Sequence, residues 1–251
     1  MDNHEIQGIH LPQLLHTWAE RSGKIPKRVR TRCRLIAATA SVMEQSGYEG
    51  LTVDAIANHA GVARGTFYLY FSDRSDAATA VMRAFSAMMR RYRPRGGSQL
   101  TPMASIYRIN LFYILSYANN SSLLAGRESL MRDRPELIRY RDAINTHWTR
   151  LILKDLCRRF NIPPERCEAP QTHLAVRAAI AMADEFLREI YVYESPGIVK
   201  LAQDPRDVAL VLTQVWHRAI FGHDPAEWNP AHGLPMLLQT ASASQNTPSC
   251  A

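Results

Sequence analysis

Cysteine is scarce in this sequence of 251 residues, which contains only four. No two of them form a C-x-x-C pair and none has a histidine at metal-ligand spacing, so the pattern predicts no bound metal. Cys33 falls on the apolar face of a predicted helix, where we expect a small core residue. The simplest expectation is therefore a reduced, cytoplasmic protein.

Long apolar runs are also missing. The longest internal stretch without a charge, 109–126, has 18 residues and is interrupted by three asparagines and three serines. A membrane-spanning helix needs about 20 mostly apolar residues, so we expect here a buried helix followed by a polar turn, and no membrane partner. The first seven residues are polar and acidic, which predicts no signal peptide.

The alternation of apolar and polar residues that is typical of a β-strand is absent as well. Apolar residues instead recur every three or four positions, which predicts an all-α fold. The predicted helices cover 27–46, 53–60, 64–70, 74–93, 103–120, 122–132, 135–161, 171–194 and 205–222. A shorter amphipathic piece lies at 11–19.

Positive charge is concentrated in one segment. The formal net charge is +7, and the stretch from Lys24 to Arg95 holds thirteen Lys or Arg against five Asp or Glu. Such a localised basic segment is typical of proteins that bind a polyanion, either a nucleic acid or an acidic membrane. A solvated basic face without a partner is the alternative that charge alone leaves open.

Two short helices joined by a glycine follow the basic helix. Thr52 is placed to cap the first of them, Gly61 supplies the freedom for a sharp turn, and Asp73 is placed to cap the helix that comes after the pair. This order of elements is typical of a helix-turn-helix, whose second helix enters the major groove of DNA.

The second short helix is rich in groups suited to DNA. Arg64 can donate two hydrogen bonds to a guanine edge, and Gly65 allows the helix start to approach the duplex closely. Hydroxyl groups that can bond phosphate come from Thr66, Tyr68 and Tyr70. Together with the basic helix and the cap, the candidate DNA-contacting residues are Arg28, Thr52, Arg64, Gly65, Thr66, Tyr68, Tyr70 and Arg74.

The stretch from Gly47 to Arg74 reads G-Y-E-G-L-T-V-D-A-I-A-N-H-A-G-V-A-R-G-T-F-Y-L-Y-F-S-D-R. It resembles the DNA-binding domain of the TetR family of regulators, and the likeness extends over 29–89. The resemblance implies that Thr66, Tyr68 and Arg74 contact phosphate and that Arg64 reads a base. It also implies a homodimer, with double-stranded operator DNA and a small-molecule effector as partners.

The sequence departs from the family pattern at three positions. Arg74 stands where lysine is usual, which keeps the charge. Ala63 replaces a frequent capping serine or threonine, a loss of about 1 kcal/mol. Asp54 stands where some relatives have a basic base-reading residue, so we expect no DNA contact from it. Phe67 and Phe71 are expected in the core, whereas Arg64 and Arg74 are expected to be largely exposed.

The resemblance and the linker-like composition around residues 94–102 divide the chain into four parts. They are an N-terminal extension (1–26), a three-helix helix-turn-helix domain (27–93, motif 52–71), a larger helical ligand-binding and dimerisation domain (94–223) and a partly disordered tail (224–251). The alanines of helix 171–194 and the broad apolar face of helix 205–222 predict that these two helices form the dimer interface.

The C-terminal half offers material for an apolar cavity. The candidate pocket residues are Phe112, Tyr113, Tyr117, Met131, His147, Trp148 and Phe186. Each of these residue types is more often core than ligand contact. The sequence contains no H-E-x-x-H motif, nucleophile elbow or glycine-rich phosphate loop, so little supports an enzyme or a cofactor.

The sequence therefore favours a DNA-binding regulator, a repressor that a small, largely apolar ligand releases from its operator. A transcriptional activator, or a regulator that answers a protein partner, is the alternative within the same class. An enzyme with an incidental basic domain is the alternative from another class, and convergent acid–base groups in the C-terminal half would favour it.

Overall fold

The chain is helical throughout the parts that the computed structural model describes, which are residues 6–21, 26–95 and 97–222. No strand occurs in these ranges, so the predicted all-α fold is confirmed. Thirteen α-helices are described: α1 Leu11–Arg21, α2 Lys27–Ser46, α3 Val53–Ala60, α4 Arg64–Tyr68, α5 Arg74–Tyr92, α6 Pro102–Ala118, α7 Ser121–Ala125, α8 Arg127–Asp133, α9 Glu136–Phe160, α10 Pro164–Glu168, α11 Pro170–Tyr191, α12 Pro196–Val199 and α13 Pro205–Phe221. A 3₁₀ turn, Gly97–Gln99, lies between α5 and α6. None of the described helices has the length and apolarity to cross a membrane.

Most helix boundaries lie within a few residues of the predicted ones, and one predicted helix was wrong. The helix expected over 122–132 is two helices, α7 and α8, that meet at Gly126. A Cβ atom at Gly126 would lie 2.4 Å from the Cβ of Tyr48, so the missing side chain lets this ring approach the junction. The expected partly disordered tail, 224–251, lies outside the described residues.

The first hydrophobic core joins α2, α3, α4 and α5. Its fully buried side chains include Leu35 and Met43 of α2, Ile56 of α3 and Phe67 of α4. Apolar residues recur at helical spacing along α2 from Val29 onwards, but the buried part of the helix begins only at Leu35. Val29, in the first turn, is 47% exposed. This core fixes the angle between the two short helices.

The second core lies between α6, α11 and α13. Val208, Leu212 and Trp216 of α13 are buried in it, and α13 packs mainly against α6. The expectation that the whole apolar face of α13 is free for a partner is therefore wrong for these three residues. Val211 and Val215 remain half-buried at the edge of that face.

The N-terminal segment 6–21 is bound to both halves of the molecule. The side-chain amide of Asn120, at the end of α6, accepts a hydrogen bond from the backbone N–H of Leu11 (2.8 Å) and donates one to the carbonyl of Ile9 (2.8 Å). On the other side, His10 lies 2.7 Å from Glu44 of α2. The segment therefore connects α2 of the first core with α6 of the second.

Cys157 and Cys167 form a disulfide, which corrects the expectation of a fully reduced protein. The chain turns back after α9 through Asn161, whose φ is +48°, and α10 then brings the two Cα atoms to 6.4 Å. Because ten positions separate these cysteines, their spacing gave no signal of pairing. Cys33 carries a free thiol and is half-buried instead of lying fully in the core.

Candidate nucleic-acid interface

Two side-chain caps and one glycine turn set the ends of the short helices, as the sequence predicts. The hydroxyl of Thr52 accepts a hydrogen bond from the backbone N–H of Ala55 at 3.1 Å, which caps α3. Gly61 adopts the left-handed conformation with φ +62°, and its N–H closes the end of α3. The side chain of Asp73 caps α5 by accepting from the N–H of Asp76 at 2.9 Å. Capping and one glycine turn therefore position α4.

One face of α4 is core and the other is open to solvent. Phe67 is fully buried and its ring lies 5.7 Å from that of Phe71, as expected for core residues. On the opposite face, Arg64, Gly65 and Tyr68 are exposed, and no atom lies within 4 Å of a Cβ built at Gly65. Two further candidates, Thr66 and Tyr70, are half-buried at the edges of this face.

Arg64 is held by an acidic residue of the preceding helix, a contact that the sequence analysis missed. One terminal nitrogen of its guanidinium, Nη1, donates to both carboxylate oxygens of Asp54, at 2.9 and 2.7 Å. The other, Nη2, lies 3.4 Å from the hydroxyl of Tyr68. Asp54 is therefore a partner of Arg64 on the exposed side of the helix-turn-helix.

Arg74 is half-buried, so the expectation that it is largely exposed was wrong. Its Nη1 donates to the carbonyl oxygens of Tyr48 (3.3 Å), Glu49 (3.1 Å) and Leu51 (3.0 Å). Its guanidinium carbon also lies 5.1 Å from the centre of the Tyr48 ring. Arg74 thus ties the start of α5 to the loop between α2 and α3, and a phosphate contact stays a prediction.

Replacing Arg74 by alanine is expected to lower the free energy of unfolding by about 1–3 kcal/mol, because three carbonyl groups lose a charged donor. Urea denaturation measures the effect. Arg64→Ala is the matched control, since Arg64 is exposed, and it is expected to leave the urea midpoint unchanged. Equal midpoints for wild type and Arg74→Ala would show that these contacts contribute nothing to stability.

The basic side chains of α2 divide into two groups. Arg32 stacks 5.2 Å from the centre of the Phe71 ring, and Arg34 donates to the carbonyl of Ala60 at 2.6 Å. Both side chains therefore support the helix-turn-helix. Arg28, in the first turn of α2, is exposed and remains a candidate for a phosphate contact.

The helix-turn-helix region is fastened to the end of α8. The hydroxyl of Tyr48 donates to Asp133 at 2.5 Å, and burial together with this hydrogen bond raises the pKa of Tyr48 to about 12. Arg134 lies 2.7 Å from Asp73. Burial alone would raise the pKa of Asp73, but hydrogen bonds from Ser75, the Asp76 N–H and Arg134 hold that pKa at about 2. The start of α5 is therefore bound to the second half of the chain.

The seven candidate pocket residues do not share one cluster. Tyr113 and Tyr117 are neighbours, with ring centres 6.1 Å apart, and so are His147 and Trp148, at 5.8 Å. The remaining three divide between the cores: Phe112 and Met131 lie with the first, and Phe186 packs against the second.

A buried charged cluster links α8, α9 and α11. Asp184 is 8% exposed and accepts hydrogen bonds from Tyr113, Arg127 and Arg141, each at 3.0 Å. Burial alone would raise the pKa of Asp184, but the two guanidinium groups and the Tyr113 hydroxyl hold it below its usual value. The sequence analysis missed this cluster because its members are far apart in the chain and lie in no motif.

None of the seven candidates lines either of two surface cavities that lie in the described part of the chain. The first, of about 330 Å³, lies between α2 and α5, where Arg32 and Arg83 contribute to its wall. The second, of about 370 Å³, lies between α7, the end of α11 and α12, where Tyr191 and Glu194 contribute. The ligand-contacting role of the seven residues therefore stays a prediction.

The helix-turn-helix region matches a known family, and most of the chain is similar to known regulators. Residues 35–81, which cover most of α2 to α5, match the family model described as bacterial regulatory proteins, tetR family. The chain is 24% identical over 200 residues to the HTH-type transcriptional regulator EthR of Mycolicibacterium smegmatis, covering 76% of this chain and 86% of that protein. A solved structure, the fatty acid degradation regulator FadR from Bacillus halodurans, aligns with a TM-score of 0.49 and 19% identity over 76% of this chain and 95% of that one. With its capped helix-turn-helix and the family model matched over residues 35–81, the chain carries a DNA-binding domain of the tetR type and is a DNA-binding transcriptional regulator.

Proposed function

We propose that the protein is a dimeric repressor that binds an operator through α4 and leaves it when a small, largely apolar ligand occupies the helical region 94–223. The exposed face of α4, with Arg64, Gly65 and Tyr68 above the buried Phe67, carries this proposal. The protein acts in the cytoplasm, where bacterial DNA lies, and catalyses no reaction. Residues 27–93 form the DNA-binding domain and 1–26 an extension of it.

The proposed contacts divide into base reading and phosphate binding. Arg64 reads a base because it stands at the start of the helix that enters the major groove. Gly65 allows the close approach of the backbone. The phosphate contacts come from Arg28, Thr52, Thr66, Tyr68, Tyr70 and Arg74. Arg74 has donors beyond Nη1, so its contacts with three carbonyl oxygens are compatible with a phosphate contact.

Selection from a library of random DNA duplexes tests the proposed operator binding. The wild-type protein is expected to enrich a two-fold symmetric sequence whose half-sites lie roughly 34–36 Å apart, or a multiple of that distance. Affinity should fall steeply as salt is raised, because phosphate contacts release counterions. An unchanged library after several rounds would contradict sequence-specific binding.

The proposed dimer interface lies on the exposed sides of α11 and α13. Leu174 is 69% and Met182 41% exposed, and Ala178 and Ala181 lie exposed between them on α11. The half-buried edge of α13 extends the apolar surface. Exposed apolar stripes of this kind mark association surfaces, and small residues allow a second helix to approach closely.

Met182→Glu is expected to convert the dimer into a monomer, because two charges would be buried near the two-fold axis. Sedimentation at micromolar concentration measures the mass. Leu201→Glu is the control: Leu201 is 83% exposed but lies outside α11 and α13, and this variant is expected to remain a dimer. A monomeric wild-type protein, or a dimeric Met182→Glu variant, would contradict the proposed interface.

The second core supports the choice of a ligand sensor over an enzyme. Trp216 Nε1 and the Tyr191 hydroxyl are buried there and find no hydrogen-bond partner among the described residues, so they can anchor an oxygen of an otherwise apolar ligand. The buried carboxylate, Asp184, is a poor general base because two arginines and Tyr113 already bind its charged form.

The contacts at α8 provide a route from the ligand to the DNA. The Tyr48–Asp133 pair fastens α8 to the loop between α2 and α3, and the Asp73–Arg134 pair fastens the end of α8 to the start of α5, the helix that follows α4. A ligand that displaces α8 would therefore change the separation of the two recognition helices, which is what must differ between the bound and released states.

Mass spectrometry of molecules that co-purify with the protein would identify the ligand. Tight binding of that ligand without any change in operator affinity would contradict the coupling.

A further inference from the structure

The ion pair between Asp54 and Arg64 lies on the exposed side of the helix-turn-helix, the side that enters the major groove in the proposed function. Both side chains are more than half exposed, at 61% and 59%. An exposed ion pair of this kind contributes little to folding stability because water solvates both charges well. The main effect of the ion pair is therefore on the orientation of the Arg64 side chain.

The guanidinium of Arg64 is held on one side and open on the other. Asp54 takes Nη1 with both carboxylate oxygens, and Tyr68 contacts Nη2 through its hydroxyl while its ring lies 6.0 Å from the guanidinium carbon. The Nε group of Arg64 makes no hydrogen bond within the described part of the chain. Nε and the second N–H of Nη2 are therefore left without a partner in that part of the chain, and these two donors have the spacing that matches O6 and N7 of guanine.

We propose that Asp54 is a positioning residue that sets the sequence specificity of the protein: it holds Arg64 so that the open Nε–Nη2 edge reads a guanine. The inference rests on the proposed function, in which Arg64 reaches a base edge. A free arginine loses much rotamer freedom on binding, and a side chain that is oriented beforehand loses less.

The carboxylate of Asp54 also acts against the wrong sequences. On a duplex that lacks the guanine, the pairing with Asp54 keeps Arg64 from turning towards a phosphate, so a non-specific contact is not made. Restraining such a contact lowers the affinity for incorrect sequences, whereas on the operator Arg64 stays paired with Asp54 and binds the guanine. Asp54 therefore increases the ratio of the affinities for operator and non-specific DNA, because it strengthens binding to the first and weakens binding to the second.

Asp54→Ala tests the inference on the operator that the wild-type protein selects and on a scrambled duplex of the same length. The ratio of the two affinities is expected to fall about 10-fold or more, the loss expected for one good base contact. Affinity for the scrambled duplex is expected to rise, and a repeated selection should relax at one base pair per half-site. Asp54→Glu, which keeps the carboxylate, should restore part of that preference.

Glu49→Ala is the matched control, because Glu49 is an exposed acidic residue of the same domain that has no contact with Arg64. It removes the same charge and should change both affinities alike. In the Arg64→Ala background, Asp54→Ala should have no further effect on the affinity ratio. Asp54→Asn, which keeps the size and polarity at the start of α3, serves if the alanine variant unfolds.

The outcomes distinguish the inference from the function on which it rests. An unchanged affinity ratio in a folded Asp54→Ala protein, or the same change in ratio with and without Arg64, would overturn the positioning role while leaving the regulator intact. If the wild-type protein itself selects no sequence, the proposed operator binding fails, and the inference fails with it.

Discussion

Asp184→Ala is expected to lower the free energy of unfolding by about 3–5 kcal/mol, since removing one member of a buried ion pair leaves an uncompensated charge. Asp184 is the shared acceptor for Arg127, Arg141 and Tyr113. The side chain of Arg127 is only 17% exposed, so its charge would stay largely out of water after the loss of Asp184. Urea denaturation of the variant measures the loss.

A second ion pair between α9 and α11 provides the control. Asp142 and Arg177 lie 2.8 Å apart, but the side chain of Asp142 is 65% exposed. Asp142→Ala should therefore cost at most about 1 kcal/mol. If both variants unfold at the same urea concentration, burial of the Asp184 cluster has no energetic consequence.

The same cluster gives stability a defined dependence on pH. The pKa of Asp184 is lower in the folded than in the unfolded protein, so its contribution is present above the unfolded value of about 4 and is lost as pH falls through the folded value. Asp73, with a folded pKa of about 2, acts in the same direction. Wild type should lose stability below about pH 4, and Asp184→Ala should lose less of it over that range.

The features that sequence reasoning found are those with a local cause. Thr52 and Asp73 cap the helices that they directly precede, and Gly61 takes the left-handed conformation that the turn requires. Each depends on neighbours within four positions in the chain. The spacing of apolar residues gave the burial of Phe67 and Phe71 in the same way.

The features that it missed depend on contacts between distant positions. From the sequence, the guanidinium of Arg74 is as well suited to a phosphate as to a backbone carbonyl group. Only the fold shows that three carbonyl groups lie within hydrogen-bond distance of it. Asp184 lies 43 positions from Arg141 and 57 from Arg127. Residue type likewise marked seven candidate pocket side chains as one group, although five of them lie in or against the two cores and the other two, His147 and Trp148, belong to neither.

The N-terminal segment is the clearest example of such a distant contact, and its attachment to α6 can be tested. A Cβ atom at Gly8 would lie 2.3 Å from the carbonyl carbon of Leu115, so Gly8→Ala must push the segment away from α6. The expected loss is about 1–3 kcal/mol in the free energy of unfolding. Gly197→Ala, at a position with nothing within 4 Å, is the control and should be tolerated.

Asn120→Ala removes the polar side of the same attachment. It leaves the N–H of Leu11 and the carbonyl of Ile9 buried without their partner, which should cost about 2–4 kcal/mol. Asn119→Ala, at the exposed neighbouring position, should cost little. Because either substitution already detaches the segment, the double variant with Gly8→Ala should lose less than the sum of the two single losses. Strict additivity would mean that Gly8 and Asn120 act at separate places, and that segment 6–21 does not behave as one element joining α2 to α6.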